Sequence, residues 1–149
     1  MRTRHLSLIP FLALAQGAVA QEPDRYAIAG ATVAVYNLAG AVTIERGSGD
    51  NVVVEVTRSG RDAGRLRVER MEVNGRAALV VRYPGDDVVY DELGRGSRTS
   101  MYVRRDGTFF GSGDRGDRIT IRGSGGGTEA HADLRILVPA GRSVDVRLG

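Results

Sequence analysis

From Tyr26 to Tyr83 the chain alternates apolar and polar positions in short runs. Val33 and Val35 alternate, then Val42 and Ile44, then Val52, Val54 and Val56, with Thr43, Glu45, Glu55 and Thr57 on the opposite parity. Leu66 and Val68 continue the pattern, followed by Leu79, Val81 and Tyr83. A period of two marks half-buried β-strands, and no stretch shows a helical period. Glycines at 30, 40, 47, 49, 60, 75 and 85 punctuate the runs. That spacing predicts an all-β protein whose short strands form a rolled sheet or the start of a β-solenoid, with a β-sandwich as the alternative. Asn74-Gly75 predicts a hairpin, because a type I′ turn needs positive φ at both central residues.

Between Pro84 and Thr128 the character changes. Glycine and aromatic residues crowd together, and charge comes in blocks: Asp86, Asp87, Asp91 and Glu92, then Arg95, Arg98, Arg104 and Arg105. Met101-Tyr102-Val103 and Ile119-Thr120-Ile121 read as the arms of a hairpin protruding from the main body. A plain loop of this length is unusual in a compact domain, so the segment reads as either a β-excursion or a functional loop, and as an excursion from the main sheet it is expected to be dispensable for folding. Regular alternation resumes with Leu134, Ile136 and Val138, turns at Pro139-Ala140-Gly141, and ends with Val144, Val146 and Leu148.

Positions 1–20 belong to a different class. Arg2, Arg4 and His5 precede an apolar run from Leu6 to Ala15, and Ala18-Val19-Ala20 supplies a small-x-small cleavage site. This is a secretory signal pattern, with cleavage expected before Gln21. The apolar run is shorter than the ~18–20 residues needed to span hydrocarbon, so no transmembrane anchor is expected. Losing Arg2 and Arg4 takes the net charge from +3 to +1, so the charge does not point to a nucleic-acid binder, which would show a basic stripe. The chain has no cysteine, which excludes disulfides, thiol catalysis and thiolate metal sites.

Three stretches together resemble a known family: VYNLAGAVTIERGSGDNVVVEV with its Asn37, Gly40, Val42 step, the strand ALVVRYP, and DLRILVPAGRSVDVRL with Val138, Pro139, Gly141, Val144 and Val146. The resemblance is to the adhesin family of exported bacterial glycine-rich β-repeat proteins, and it covers about residues 26–148, least well over 84–128. It implies a cell-envelope location and short repeats stacked into a solenoid-like or rolled sheet. In that family a repeat array follows the second step. The chain is therefore expected to be the N-terminal part of a longer protein, with its final strand offering an unpaired edge for self-association.

Candidate chemistry is sparse. Gly111, Gly113 and Gly116 match a dinucleotide-binding spacing, but a strand follows where that site needs a helix. Arg115-Gly116-Asp117 spells an integrin-recognition tripeptide at the chance level for this composition. Asp86, Asp87, Asp91 and Glu92 lack calcium-loop spacing and read as a solvated acidic edge facing the arginine block. Glu129, His131 and Asp133 share one strand face, but a single histidine cannot build a multi-histidine metal site, and the outer parity of a strand is expected to be solvated and charged. No catalytic, cofactor-binding or metal residue is assigned, and no cofactor is expected. The expectation is an exported, non-catalytic envelope module that contacts an envelope polymer or a surface protein. The alternative is a polysaccharide-acting enzyme built on clustered carboxylates.

Overall fold

The computed structural model describes residues 22–109 and 116–149; the signal pattern expected at 1–20 and most of the glycine-rich 111–116 motif lie outside the described residues. The protein is all-β, and among the described residues there is no α-helix. Among the described residues twelve strands follow in order: β1 (Asp24–Ile28), β2 (Thr32–Asn37), β3 (Val42–Arg46), β4 (Val52–Ser59), β5 (Arg67–Val73), β6 (Arg76–Arg82), β7 (Asp87–Val89), β8 (Arg98–Val103), β9 (Asp117–Arg122), β10 (Thr128–Glu129), β11 (His131–Val138) and β12 (Ser143–Leu148). They form three four-stranded sheets. The first is ordered β1-β4-β11-β3, the second β12-β2-β6-β5 and the third β10-β7-β9-β8. The sheets are mixed: β3 runs parallel to β11, β2 parallel to both β12 and β6, and β7 parallel to β9 and β10.

The second sheet is the middle layer. Val33 and Val35 of β2 and Leu79 and Val81 of β6 point into a core shared with Val52, Val54, Val56, Leu134 and Ile136 of the first sheet. Their neighbours Ala34, Tyr36, Ala78 and Val80 point the other way, into a second core with Val88, Val103, Phe109, Ile119 and Ile121. The near-continuous apolar runs of β2 and β6 therefore belong to strands covered on both faces, whereas a half-buried strand alternates. The face-to-face packing of the first and second sheets is the arrangement of a sandwich, with a third layer added.

The expected hairpin between 98 and 122 exists as the antiparallel pair β8–β9, with Met101 opposite Ile119 and Val103 opposite Asp117. It does not protrude. Val103, Ile119 and Ile121 are buried against the middle sheet, so the described residues of 84–128 form a third layer on it. The sequence pattern concealed this because the covering residues are few and widely spaced among glycines and charges.

Two turns follow the expected chemistry. Asn74 and Gly75 both have positive φ, 52° and 74°, and link β5 to β6 with Val73 opposite Arg76. Gly40 has φ of 128°, and a Cβ there would overlap the Ala132 carbonyl, so the chain between β2 and β3 passes β11 only as glycine.

Candidate functional site

The link from β2 to β3 is held by a buried polar group. Asn37 is fully buried, and its Nδ2 donates to Ala132 O at 2.7 Å and to Ala39 O at 3.1 Å. The Tyr83 hydroxyl lies 2.7 Å from both Asn37 Oδ1 and Ala39 O, to which it can donate its one proton, and it accepts from Ala39 N at 3.3 Å. Burial raises the Tyr83 pKa well above the normal phenol range, so the group stays neutral. Asp133 Oδ1 accepts from Ala41 N at 2.8 Å, one residue beyond Gly40. The Asn37–Gly40 step is thus a structural clamp across β11.

The Glu129, His131 and Asp133 row is split among different partners. Glu129 Oε2 accepts from Arg61 at 2.7 Å, and Asp133 serves the Ala41 amide. His131 is not solvated as its strand parity predicted: only 15% of its side chain is exposed. The ring of Tyr90, just beyond β7, covers it at a centroid distance of 5.0 Å, and Asp133 Oδ2 is 4.0 Å from Nε2. Tyr90 in turn donates to Glu92 Oε2 at 2.8 Å; burial, then that hydrogen bond and the charge of Glu92, push its pKa up to about 12. This cover comes from the third layer, which the alternation of β11 alone could not reveal.

The acidic block does not face the arginine block as a unit. Asp87 pairs with Arg122 of the neighbouring strand β9, and Glu92 is taken by Tyr90. Among the described residues no three carboxylate or imidazole groups converge in a metal-binding arrangement. The Arg115-Gly116-Asp117 tripeptide is only partly described; its Asp117 opens β9.

A cleft of about 360 Å³ opens where the β6–β7 turn meets the β8–β9 pair. Its polar lining brings together Arg82, Asp86, Arg104, Arg105 and Asp117, with Tyr83 at its base. Arg82 is held in place: Nη1 reaches Glu69 at 3.2 and 3.3 Å, and Nη2 donates to the Arg105 carbonyl at 2.6 Å. The loop carrying Arg104 and Arg105 is folded tightly on itself. Arg104 N donates to Thr108 O at 2.9 Å, Gly107 N to Arg104 O at 2.8 Å, and Arg104 Nη1 to Thr108 Oγ1 at 3.0 Å. Asp106 Oδ1 accepts from Thr108 N at 2.9 Å and Oγ1 at 2.7 Å. Burial opposes ionisation of Asp106, but these hydrogen bonds outweigh it and hold the carboxyl below its usual range. Gly107 packs against Val80 of the middle sheet, where a Cβ would come within 2.6 Å of Cγ1.

The cleft thus gathers three arginines and two aspartates on a braced scaffold, and guanidinium groups are suited to carboxylates and phosphates. Reading along the chain separated its parts. Arg104 and Arg105 stood out as a charge block and Asp117 only as part of the chance-level tripeptide, while Arg82 carried no signal, because three distant segments assemble the cleft.

A different surface lies on the outer face of the first sheet. Arg25 of β1, Glu55 of β4, Arg135 of β11 and Glu45 of β3 form an unbroken line of alternating charge across all four strands, at 2.7, 3.0 and 2.8 Å. The Arg135 guanidinium draws the Glu45 carboxyl below its usual range. These charges satisfy one another across the face.

No protein-family model, curated protein or solved structure matches this chain.

Proposed function

We propose that the chain is an exported, non-catalytic, adhesin-like module of the bacterial cell envelope, and that it binds an acidic envelope polymer in the arginine-lined cleft. The observation carrying this reading is the convergence of Arg82, Arg104 and Arg105 on one open groove. Arg82 is braced by Glu69, so little side-chain freedom is lost when a ligand arrives. The signal pattern of residues 1–20 supports export, and no described helix is long and apolar enough to cross a membrane. The single histidine of residues 21–149 is packed under Tyr90, away from the cleft lining, which favours binding over proton transfer.

Binding is tested by titrating the purified chain with polygalacturonate as an acidic polymer and with a neutral glucan. The reading expects polygalacturonate to bind, with affinity falling as salt rises, and the glucan not to bind. Arg105→Ala should weaken binding about tenfold, the scale of one lost charge-assisted contact. Equal binding of both polymers would overturn it.

One observation favours the second reading, a polysaccharide-acting enzyme. Asp86 and Asp117 both line the same cleft, and paired carboxylates are what glycoside hydrolysis requires. Release of reducing ends from a bound polymer, abolished by Asp86→Asn or Asp117→Asn with binding retained, would establish that reading in place of the first.

A further inference from the structure

The strand β12 forms one end of the second sheet. Ser143 N donates to Ala31 O at 2.9 Å and Gly149 N to Asn37 O at 3.2 Å, so the odd-numbered residues of β12 direct their backbone groups toward β2. The amides and carbonyls of Val144, Val146 and Leu148 therefore face the opposite edge. Among the described residues no strand pairs with that edge. The first core also thins out at this rim. Val42 of β3 and Val144 and Val146 of β12 cover it only partly. The next positions of the same parity, Ile44 and Leu148, are 55% and 41% exposed.

We propose that two chains associate through antiparallel pairing of β12 with β12 of a second copy, with the twofold axis at Val146. In this register Val146 faces its counterpart, Val144 faces Leu148, and both are hydrogen-bonded pairs because all three residues turn their backbone groups outward. Asp145 then faces Arg147 of the other copy, and Arg147 faces Asp145, in the non-hydrogen-bonded pairs where Cα atoms approach to ~4.5 Å. Within one chain these residues already form an ion pair at 2.8 Å, so both ends project from the same face of the strand. Sliding by two residues sets Asp145 against Asp145 or Arg147 against Arg147, and like charges directly opposite are destabilising. Sliding by one residue opposes backbone groups that point away from each other. Charge and hydrogen bonding thus select a single register, and the contact is isologous as a closed dimer requires. The second sheet would run without a break through both copies, removing an edge otherwise open to uncontrolled pairing.

The test is a charge exchange read by sedimentation of the purified chain. The unsubstituted chain should show a concentration-dependent dimer. Asp145→Arg alone and Arg147→Asp alone should each be monomeric, since each dimer would gather four like charges at the axis. An equimolar mixture of the two should regain the dimer mass, because every cross-chain pair is again of opposite sign although neither chain has an internal pair. In a separate pair, Asp145→Cys mixed with Arg147→Cys should cross-link on oxidation, in a chain with no native cysteine, while Asp145→Cys alone should not. A monomeric unsubstituted chain at every concentration would overturn the proposal. So would single variants that remain dimeric, or mixtures that neither dimerise nor cross-link.

Discussion

Tyr36 of the middle sheet and Phe109 of the loop beyond β8 meet edge to face, with ring centroids 5.5 Å apart and planes 83° apart. Both rings are buried. This contact ties the glycine-rich segment to β2, and it sits beside the loop that carries Arg104 and Arg105. Phe109→Ala should cost ~3–5 kcal/mol, the usual penalty for emptying an aromatic site in a packed core. Chemical denaturation measures the loss. The same variant should loosen the cleft, so polymer binding should weaken even under conditions where the protein stays folded.

The Asn37 clamp makes a separate prediction. Asn37→Ala takes the side-chain donor from the Ala132 carbonyl and leaves the Tyr83 hydroxyl with Ala39 alone, and should destabilise by ~2–3 kcal/mol. Tyr83→Phe removes one hydroxyl and should cost less, ~1–2 kcal/mol. Because the two residues share a hydrogen bond, the double substitution should cost less than the sum. Equilibrium unfolding of the three variants checks the order; additive costs would mean that the residues act independently.

Gly40→Ala should be harsher than either. Its φ of 128° is rarely adopted by an L-residue, and the new methyl group would meet the Ala132 carbonyl, which is backbone and cannot swing aside. Loss of soluble folded protein is the expected outcome. By contrast, Gly49→Ala, where a Cβ would meet nothing within 4 Å, should leave the chain folded despite its own positive φ.

Acid should open the arginine loop before it unfolds the cores. The folded Asp106 carboxyl has a lowered pKa, so its stabilisation is complete above the unfolded value and is lost as pH falls through the folded one. The Thr108 amide, which donates to Asp106, should lose exchange protection across that acidic range while the amides of β2 and β6 keep theirs. Asp106→Asn should remove the pH dependence. An unchanged profile in that variant would assign the transition to another group.

How much of this was legible beforehand differs by element. The strands of the first sheet were readable because Val52, Val54 and Val56 bury one face while Glu55 and Thr57 stay outside, and the Asn74-Gly75 turn carried its own chemistry. The middle sheet was harder. Val33 and Val35 marked β2 as a strand, but the burial of Ala34 and Tyr36 on its other face depends on a layer supplied from residues 88–121. That layer was misjudged because glycine and charge density suggest exposure, whereas Val88, Val103, Phe109, Ile119 and Ile121 are enough to cover one face. The cleft escaped for a related reason: Arg82, Arg105 and Asp117 lie on three segments that only the closed third layer brings together.

The strand β2 lies between β6 and β12, and β11 lies between β4 and β3. Thr32 and Ser143 touch hydroxyl to hydroxyl at 2.8 Å, although 111 residues separate them along the chain. Neither the first nor the second sheet is complete until residues 131–148 have been made, so a ribosome-bound chain carries β2 with one edge open until β12 emerges. Closing so long a loop is slow, since its entropy is lost before the contacts form. Translation order thus gives this protein a window, before β12 arrives, in which the open edge of β2 is most exposed to mispairing.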